Sequence, residues 1–236
     1  MNAPFRRQIS LFQRQHPLFQ KTHPFWMDCF RRRLALDNIR LWALDVYPIV
    51  RDFAHLYTRV AAKCDSEQTM TFLAETIFEE TGSGVEQESH PTLFRNFLRS
   101  LGVAEAGIPA ASLTEPGRIH WKFFWDIARN GSFLEGLTLV GIGIEGPLPD
   151  LFRMLAHALQ RQYGMDAAAL KYFTIHTVSD VKHSRLASRI VSELARTAAE
   201  QARVREVLFQ LWGLQKQQLD ELYETAQPRG KAVASR

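Results

Sequence analysis

Apolar residues recur three and four positions apart through "HPFWMDCFRRRLALDNIRLWALDVYPIVRDFAHLYTRVAAKC", with Leu41, Leu44, Val50, Phe53 and Leu56 among them. That spacing lines up one stripe of an α-helix, not the alternate faces of a strand. The pattern continues beyond it. "SEQTMTFLAETIFEETG" predicts a second helix with Ser66 as N-cap and Gly82 as its stop. "HPTLFRNFLRSLG" predicts a third, with His90 as N-cap before Pro91 and Gly102 at its end. Further helices are expected at about 117–129, 132–146 and 148–163. Another should begin near Asp166, and the Leu-, Ala-, Glu- and Gln-rich segment from about 184 to 226 favours helix, with an interruption at Gly213.

About seven helices without strands make an all-α chain, a single-domain bundle whose apolar faces bury one another. The expected organisation is an N-terminal extension over 1–20, a helical domain over 21–226, and a disordered tail "QPRGKAVASR" over 227–236. A hydrophobic share of 46% and a charged share of 23% suit such a domain. The balance is mildly basic, at +4. Its densest run, Arg31-Arg32-Arg33, is short and followed by charges of both signs, so it reads as a solvated face and not a nucleic-acid footprint. The longest apolar stretch, around "LTLVGIGI", is too short to span a bilayer. The N-terminus has arginines but no continuous apolar core, unlike a secretory signal. Cys29 and Cys64 form no Cys-x-x-Cys and suit a reducing compartment. The expectation is a cytoplasmic protein with neither membrane nor nucleic acid as partner.

"FTIHTVSDVKH" holds the sharpest chemical signal. His176, Asp180 and His183 stand at i, i+4 and i+7, within roughly 60° of one another around a helix. Carboxylates and imidazoles projecting inward from several helices are how bundles hold iron or manganese. "FEETGSGVEQESHP" adds two acids at the end of one helix and a histidine at the start of the next, so Glu79 or Glu80 can meet His90. "TLVGIGIEGPLP" places Glu145 in an apolar helix, a costly position for a carboxylate without a partner or metal.

The order "EETG…SHP.LF..FL..LG", "IEGPLP", "H…D..H" resembles the haem-oxygenase-like di-metal oxidases. That superfamily also contains pyrroloquinoline-quinone synthase and the thiaminase II proteins. The resemblance covers roughly residues 20–225 and implies a haem-oxygenase-like fold. It implies six metal ligands: Glu79, His90, Glu145, His176, Asp180 and His183. Between the two adjacent acids it favours Glu79, whereas the apolar periodicity of Met70, Leu73 and Ile77 favours Glu80; Glu79 is taken as the ligand. The loop "TGSGVEQES" is longer than in those relatives. Trp26 falls where the p-aminobenzoate-forming relatives carry tyrosine, which argues against a self-modifying tyrosine at that position.

The resemblance implies two Fe(II) ions, with manganese the alternative metal, and O₂ as co-substrate. The implied activity is a di-iron oxidoreductase acting on a small amine- or carboxylate-bearing metabolite, amino acids among the candidates. N-oxygenation, desaturation, C–C cleavage and oxidative decarboxylation all belong to this range, in a biosynthetic setting and with a homodimer as an allowed assembly. Two rivals are a metal-free enzyme of the same fold, a thiaminase-like hydrolase or cofactorless oxidase, and a non-catalytic helical interaction protein. His16 and His23 precede prolines and read as turn residues; His55, His120 and His157 read as surface or satisfied core histidines. Trp42, Tyr47, Trp125 and Phe173 are core residues that could line a pocket.

Overall fold

Stripes of apolar residues too strong to face water force the helices of this chain together. The computed structural model describes residues 3–15 and 22–226. His16 and the tail 227–236 lie outside the described residues. The helices are α1 (Ala3–Gln15), α2 (Pro24–Phe30), α3 (Leu36–Ala61), α4 (Glu67–Glu80), α5 (His90–Ser100), α6 (Glu115–Asn130), α7 (Phe133–Leu137), α8 (Leu148–Tyr163), α9 (Lys171–Leu194) and α10 (Ala198–Ala226). A π-helical segment, Thr138–Ile144, follows α7 directly. There is no strand among the described residues, and no helix of theirs is long and apolar enough to cross a membrane. The all-α expectation holds among the described residues.

Several boundaries follow the sequence signals. Ser66 caps α4 by accepting from the Thr69 N–H. Gly82 and Gly102 end their helices with φ of 92° and 78°, a region that disfavours residues with a Cβ. Other boundaries differ. The first long helix is two helices, because the chain turns at 31–35 between α2 and α3. The three arginines therefore lie on an exposed turn and not on a helix face. His90 is the first residue of α5, and Ser89 occupies the N-cap position, so the imidazole is free to turn inward. Gly213 does not interrupt α10; it faces open space, where the roughly 1 kcal/mol propensity cost of glycine is tolerated. The break comes instead between Leu194 and Ala198, where Glu200 accepts from the Arg196 and Thr197 N–H groups. Residues 3–15 of the expected extension are helical, and Phe5 and Ile9 belong to the apolar core.

The core consists of two apolar clusters. One joins α1, the C-terminal half of α3, α4, α6, the π segment and the facing halves of α9 and α10. The other joins α2, the N-terminal half of α3, α5, α8 and the remaining halves of α9 and α10. Along α9, Tyr172 and Phe173 belong to the second cluster, and Ala187, Ile190 and Val191 to the first. The residues between them sit at the seam.

The π segment brings a carboxylate to that seam. Its glycines permit close packing: a Cβ on Gly141 would lie 2.4 Å from Ala187 Cβ on α9, and one on Gly143 would lie 2.3 Å from Leu211 Cδ2 on α10. The Glu145 N–H reaches back five residues to the Val140 carbonyl at 3.3 Å. The Gly143 carbonyl accepts from Trp212 Nε1 at 3.1 Å. Gly141→Ala is therefore expected to push α9 away at about 1–3 kcal/mol. The melting temperature, followed by circular dichroism, should fall by about 3–10 °C; an unchanged value would mean that α9 yields freely.

Candidate metal centre

Six ionisable side chains meet at the seam, none more than 5% exposed. They form two groups: Glu80, His90 and His176, and Glu145, Asp180 and His183. Within each group, one nitrogen or oxygen per residue lies within 4.8 Å of the others. Five of the six residues expected from the sequence are therefore brought together.

The exception is Glu79, and Glu80 stands in its place. On α4 the buried stripe runs Leu73, Thr76, Glu80 at i, i+3 and i+7. Glu79 lies one position off that stripe. Its side chain is 33% exposed, with Oε2 3.0 Å from His183 Nε2 and Oε1 3.7 Å from Lys182. It borders the second group without joining either. The longer loop still returns the chain in register. Gly82 makes its turn where a Cβ would meet the Val85 carbonyl at 2.2 Å, and Lys171 on α9 holds Glu88 at 2.7 Å.

The first group is held in a definite protonation pattern. His176 Nδ1 lies 2.6 Å from the Tyr172 carbonyl. A carbonyl can only accept, so Nδ1 carries the hydrogen and Nε2 keeps its lone pair. Burial first, then the neighbouring His90, pushes His176 down to about 4. His90 Nδ1 is 2.6 Å from Glu80 Oε2 but out of line for a hydrogen bond. Burial alone would raise Glu80, yet the facing His90 imidazole holds it below its ordinary value.

The second group is less satisfied. Both Glu145 oxygens, Asp180 Oδ2 and both His183 ring nitrogens are buried without a hydrogen-bond partner. Burial, followed by Glu145 and Glu80, drives Asp180 well above the carboxylate range. Burial and the charge of Glu80 raise Glu145, partly offset by His183 and by the Tyr57 hydroxyl beside it. Desolvation lowers His183, but Glu145 and Glu79 outweigh it and raise it. Orphaned carboxylate and imidazole atoms from α5, α9 and the end of the π segment, converging beside Glu80 of α4, suit a divalent metal, and this mixed oxygen and nitrogen donor set suits iron or manganese.

Glu80, Glu145, His176 and Asp180 also line one cavity of about 140 Å³. Its other walls are largely apolar, and of the aromatic residues expected as candidates Trp42 lines it. Tyr47 and Phe173 are buried in the second core cluster instead, and Trp125 lies under Arg129. Sequence reasoning missed Trp26 as a wall residue and His120, Gln215 and Gln218 as polar ones.

With this geometry in view, comparisons with known proteins are specific. The family model of iron-containing redox enzymes matches residues 40–214. A 4-aminobenzoate synthase from Nitrosomonas europaea is 29% identical over 133 residues, 56% of this chain and 52% of that protein. The match therefore spans about half the length of that relative. One from Chlamydia muridarum is 23% identical over 205 residues, 86% of this chain and 84% of its own. Among solved structures, a TenA homologue from Pseudomonas syringae superposes with a TM-score of 0.80 at 14% identity, over 92% of both chains. A CADD-like protein of unknown function from Nostoc punctiforme gives 0.75 at 15% identity, over 95% of this chain and 98% of that one.

Asp180 supplies a test of the electrostatics. A carboxylate whose folded pKa lies above its unfolded value destabilises the fold once pH rises through the folded value, and costs nothing below the unfolded one. Asp180→Asn removes that penalty. In metal-free protein at pH 8 it should raise the melting temperature, and the gain should shrink as pH falls from the folded pKa and vanish below the unfolded one. A variant less stable than the parent at pH 8 would contradict the assignment.

Proposed function

Because the chain belongs to the iron-containing redox enzymes, we propose that it is an O₂-dependent non-haem di-iron oxidase or oxygenase of a small metabolite bearing an amine or a carboxylate. The observation that carries this reading is the pair of buried triads, whose unpartnered atoms have no other use in the fold. Glu80, His90 and His176 would hold one ion, and Glu145, Asp180 and His183 the other. Two bound ferrous ions would supply the redox chemistry with O₂ that side chains lack.

The chain's own residues do the rest. His176 presents Nε2 because the Tyr172 carbonyl holds its Nδ1 hydrogen. The apolar walls, among them Trp42, Phe94 and Phe152, keep water from the reacting atoms. The Tyr57 hydroxyl is held protonated by burial and by the charge of Glu145 beside it, and it is buried without a partner of its own. The relatives' name places an amine on their product, which supports the amine-bearing class. Trp26 is buried against Trp42 and lines the cavity. A tryptophan there carries no phenol, which supports a reading with a supplied substrate over self-modification at that position.

The hydrolase reading draws no support from the cysteines. Cys29 lies in the core, and burial pushes its thiol up to about 12. Neither cysteine lines the cavity.

Two measurements test the proposal. Anaerobic Fe(II) titration should give two ions per chain, and Glu80→Ala, His176→Ala or Glu145→Ala should remove most of one or both while helical circular dichroism survives. Glu79→Ala should retain more iron than Glu80→Ala; the reverse order would return the ligand role to Glu79. Iron-loaded protein exposed to O₂ with a panel of amino acids, arylamines and carboxylic acids should consume O₂ faster with one class. Full iron content in all three triad variants would overturn the ligand assignment.

A further inference from the structure

A second polar group, on helices that carry no triad residue, reaches the same cavity through His120, Gln215 and Gln218. It begins with Asp45 on α3, fully buried. Its carboxylate accepts from the Thr114 N–H at 2.7 Å, the Thr114 hydroxyl at 2.8 Å and Gln218 Nε2 at 2.6 Å. A Cβ on Gly117 would lie 2.6 Å from Asp45 Oδ2, so the α6 backbone closes over the same oxygen.

Hydrogen-bond directions then follow in sequence. Because the amide nitrogen of Gln218 faces Asp45, its Oε1 faces the other way, 3.0 Å from His120 Nδ1. An amide oxygen only accepts, so His120 Nδ1 carries the hydrogen. In a neutral imidazole Nε2 is then a bare lone pair. Burial, which takes His120 down to about 4, keeps the ring neutral near pH 7. Nε2 is buried without a partner on a residue that lines the cavity. One helical turn before Gln218, Gln215 Oε1 is likewise buried, unpartnered and on a residue of the cavity wall.

Two acceptors without a donor, backed by a buried carboxylate, select a group that brings several N–H bonds and positive charge. A hydroxyl brings one hydrogen. A carboxylate brings none and would confront lone pairs. The cavity volume of about 140 Å³ is close to that of engineered cavities of ~150 Å³ that take up benzene. We propose that His120 and Gln215 form an amine-binding pole, and that the molecule taken up is a compact primary amine with an apolar body. This rests on the reading that the cavity is the substrate site, and it narrows that substrate from amine or carboxylate to amine.

Calorimetric titration of the full-length protein with benzylamine, benzoate and toluene, which share one ring, tests the pole. Benzylamine should bind at least ten-fold tighter than either of the others, in both metal-free and Fe(II)-loaded protein. His120→Phe should erase the preference for benzylamine over toluene while leaving iron content unchanged. Gln215→Leu should reduce the preference several-fold and serves where His120→Phe does not fold. Benzylamine binding no tighter than toluene, binding of neither, or a preference that survives both substitutions would overturn the proposal and leave water as the occupant. Wild-type protein that takes up no Fe(II) on anaerobic titration yet keeps the amine preference would defeat the di-iron reading alone.

Discussion

Three carboxylates and three imidazoles are taken out of water at one level of this bundle, and most of the structure answers to that cost. Desolvating an ionised carboxylate is expensive unless charge and hydrogen bonds replace the lost water. Glu80 has His90, but Asp180 faces Glu145 and Glu80, accepts from one hydroxyl, Ser179, and shares the His183 imidazole with Glu145. A chain that keeps such a group with no counterion of its own leaves room for an external positive charge. The fold can bear this because the burden falls at a seam, with a separate apolar cluster on each side.

The same seam explains why two polar groups share one cavity. Gln218 lies on α10 between Trp212 of one cluster and Leu219 of the other, and Asp45, on α3 between Ala43 and Tyr47 of the second cluster, reaches it. The long helices α9 and α10 cross from one cluster to the other, and each leaves polar side chains at the crossing. The π segment is the variation on this rule. It is too short to cross both clusters, so it widens its turn, and Trp212 takes up the Gly143 carbonyl as Glu145 arrives at the seam. Glycines at 141 and 143 let α9 and α10 approach closely enough to bury it.

Much of this was legible in residue spacing. The stripe of His176, Asp180 and His183 needs only 3.6 residues per turn, and a lone Glu145 among apolar neighbours announces its own cost. The choice between Glu79 and Glu80 was not settled that way, because adjacent helical positions differ by 100° and both border the core. The buried stripe of Leu73, Thr76 and Glu80 decides it, and Thr76 is a polar residue that apolar counting passes over. His120 was read as satisfied or exposed for a related reason. Its partner Gln218 lies 98 positions away along the chain, and Asp45, which holds Gln218, lies 75 away; nothing local marks them. The boundary at 31–35 and the π segment were illegible because both depend on tertiary packing, not on propensity.

Helix α9 shows how stability and chemistry are divided along one element. "TIHTVSDV" is a poor helix sequence, with Thr174, Ile175, Thr177, Val178 and Val181 β-branched, each costing up to roughly 0.7 kcal/mol relative to alanine. Its Thr174, Thr177 and Ser179 hydroxyls bond back to carbonyls three or four residues earlier. Propensity therefore does not hold this stretch. It is held from its ends: Phe173 packs edge-on to Phe97 and Phe152 on one side, and Ala187 sits against the π segment on the other. With both ends pinned, the inward face of the middle need not pack for stability. That is why a continuous helix from Lys171 to Leu194 can give three buried positions in eight residues to ionisable groups, and why the apolar positions flanking them matter to the centre as much as the ligands do.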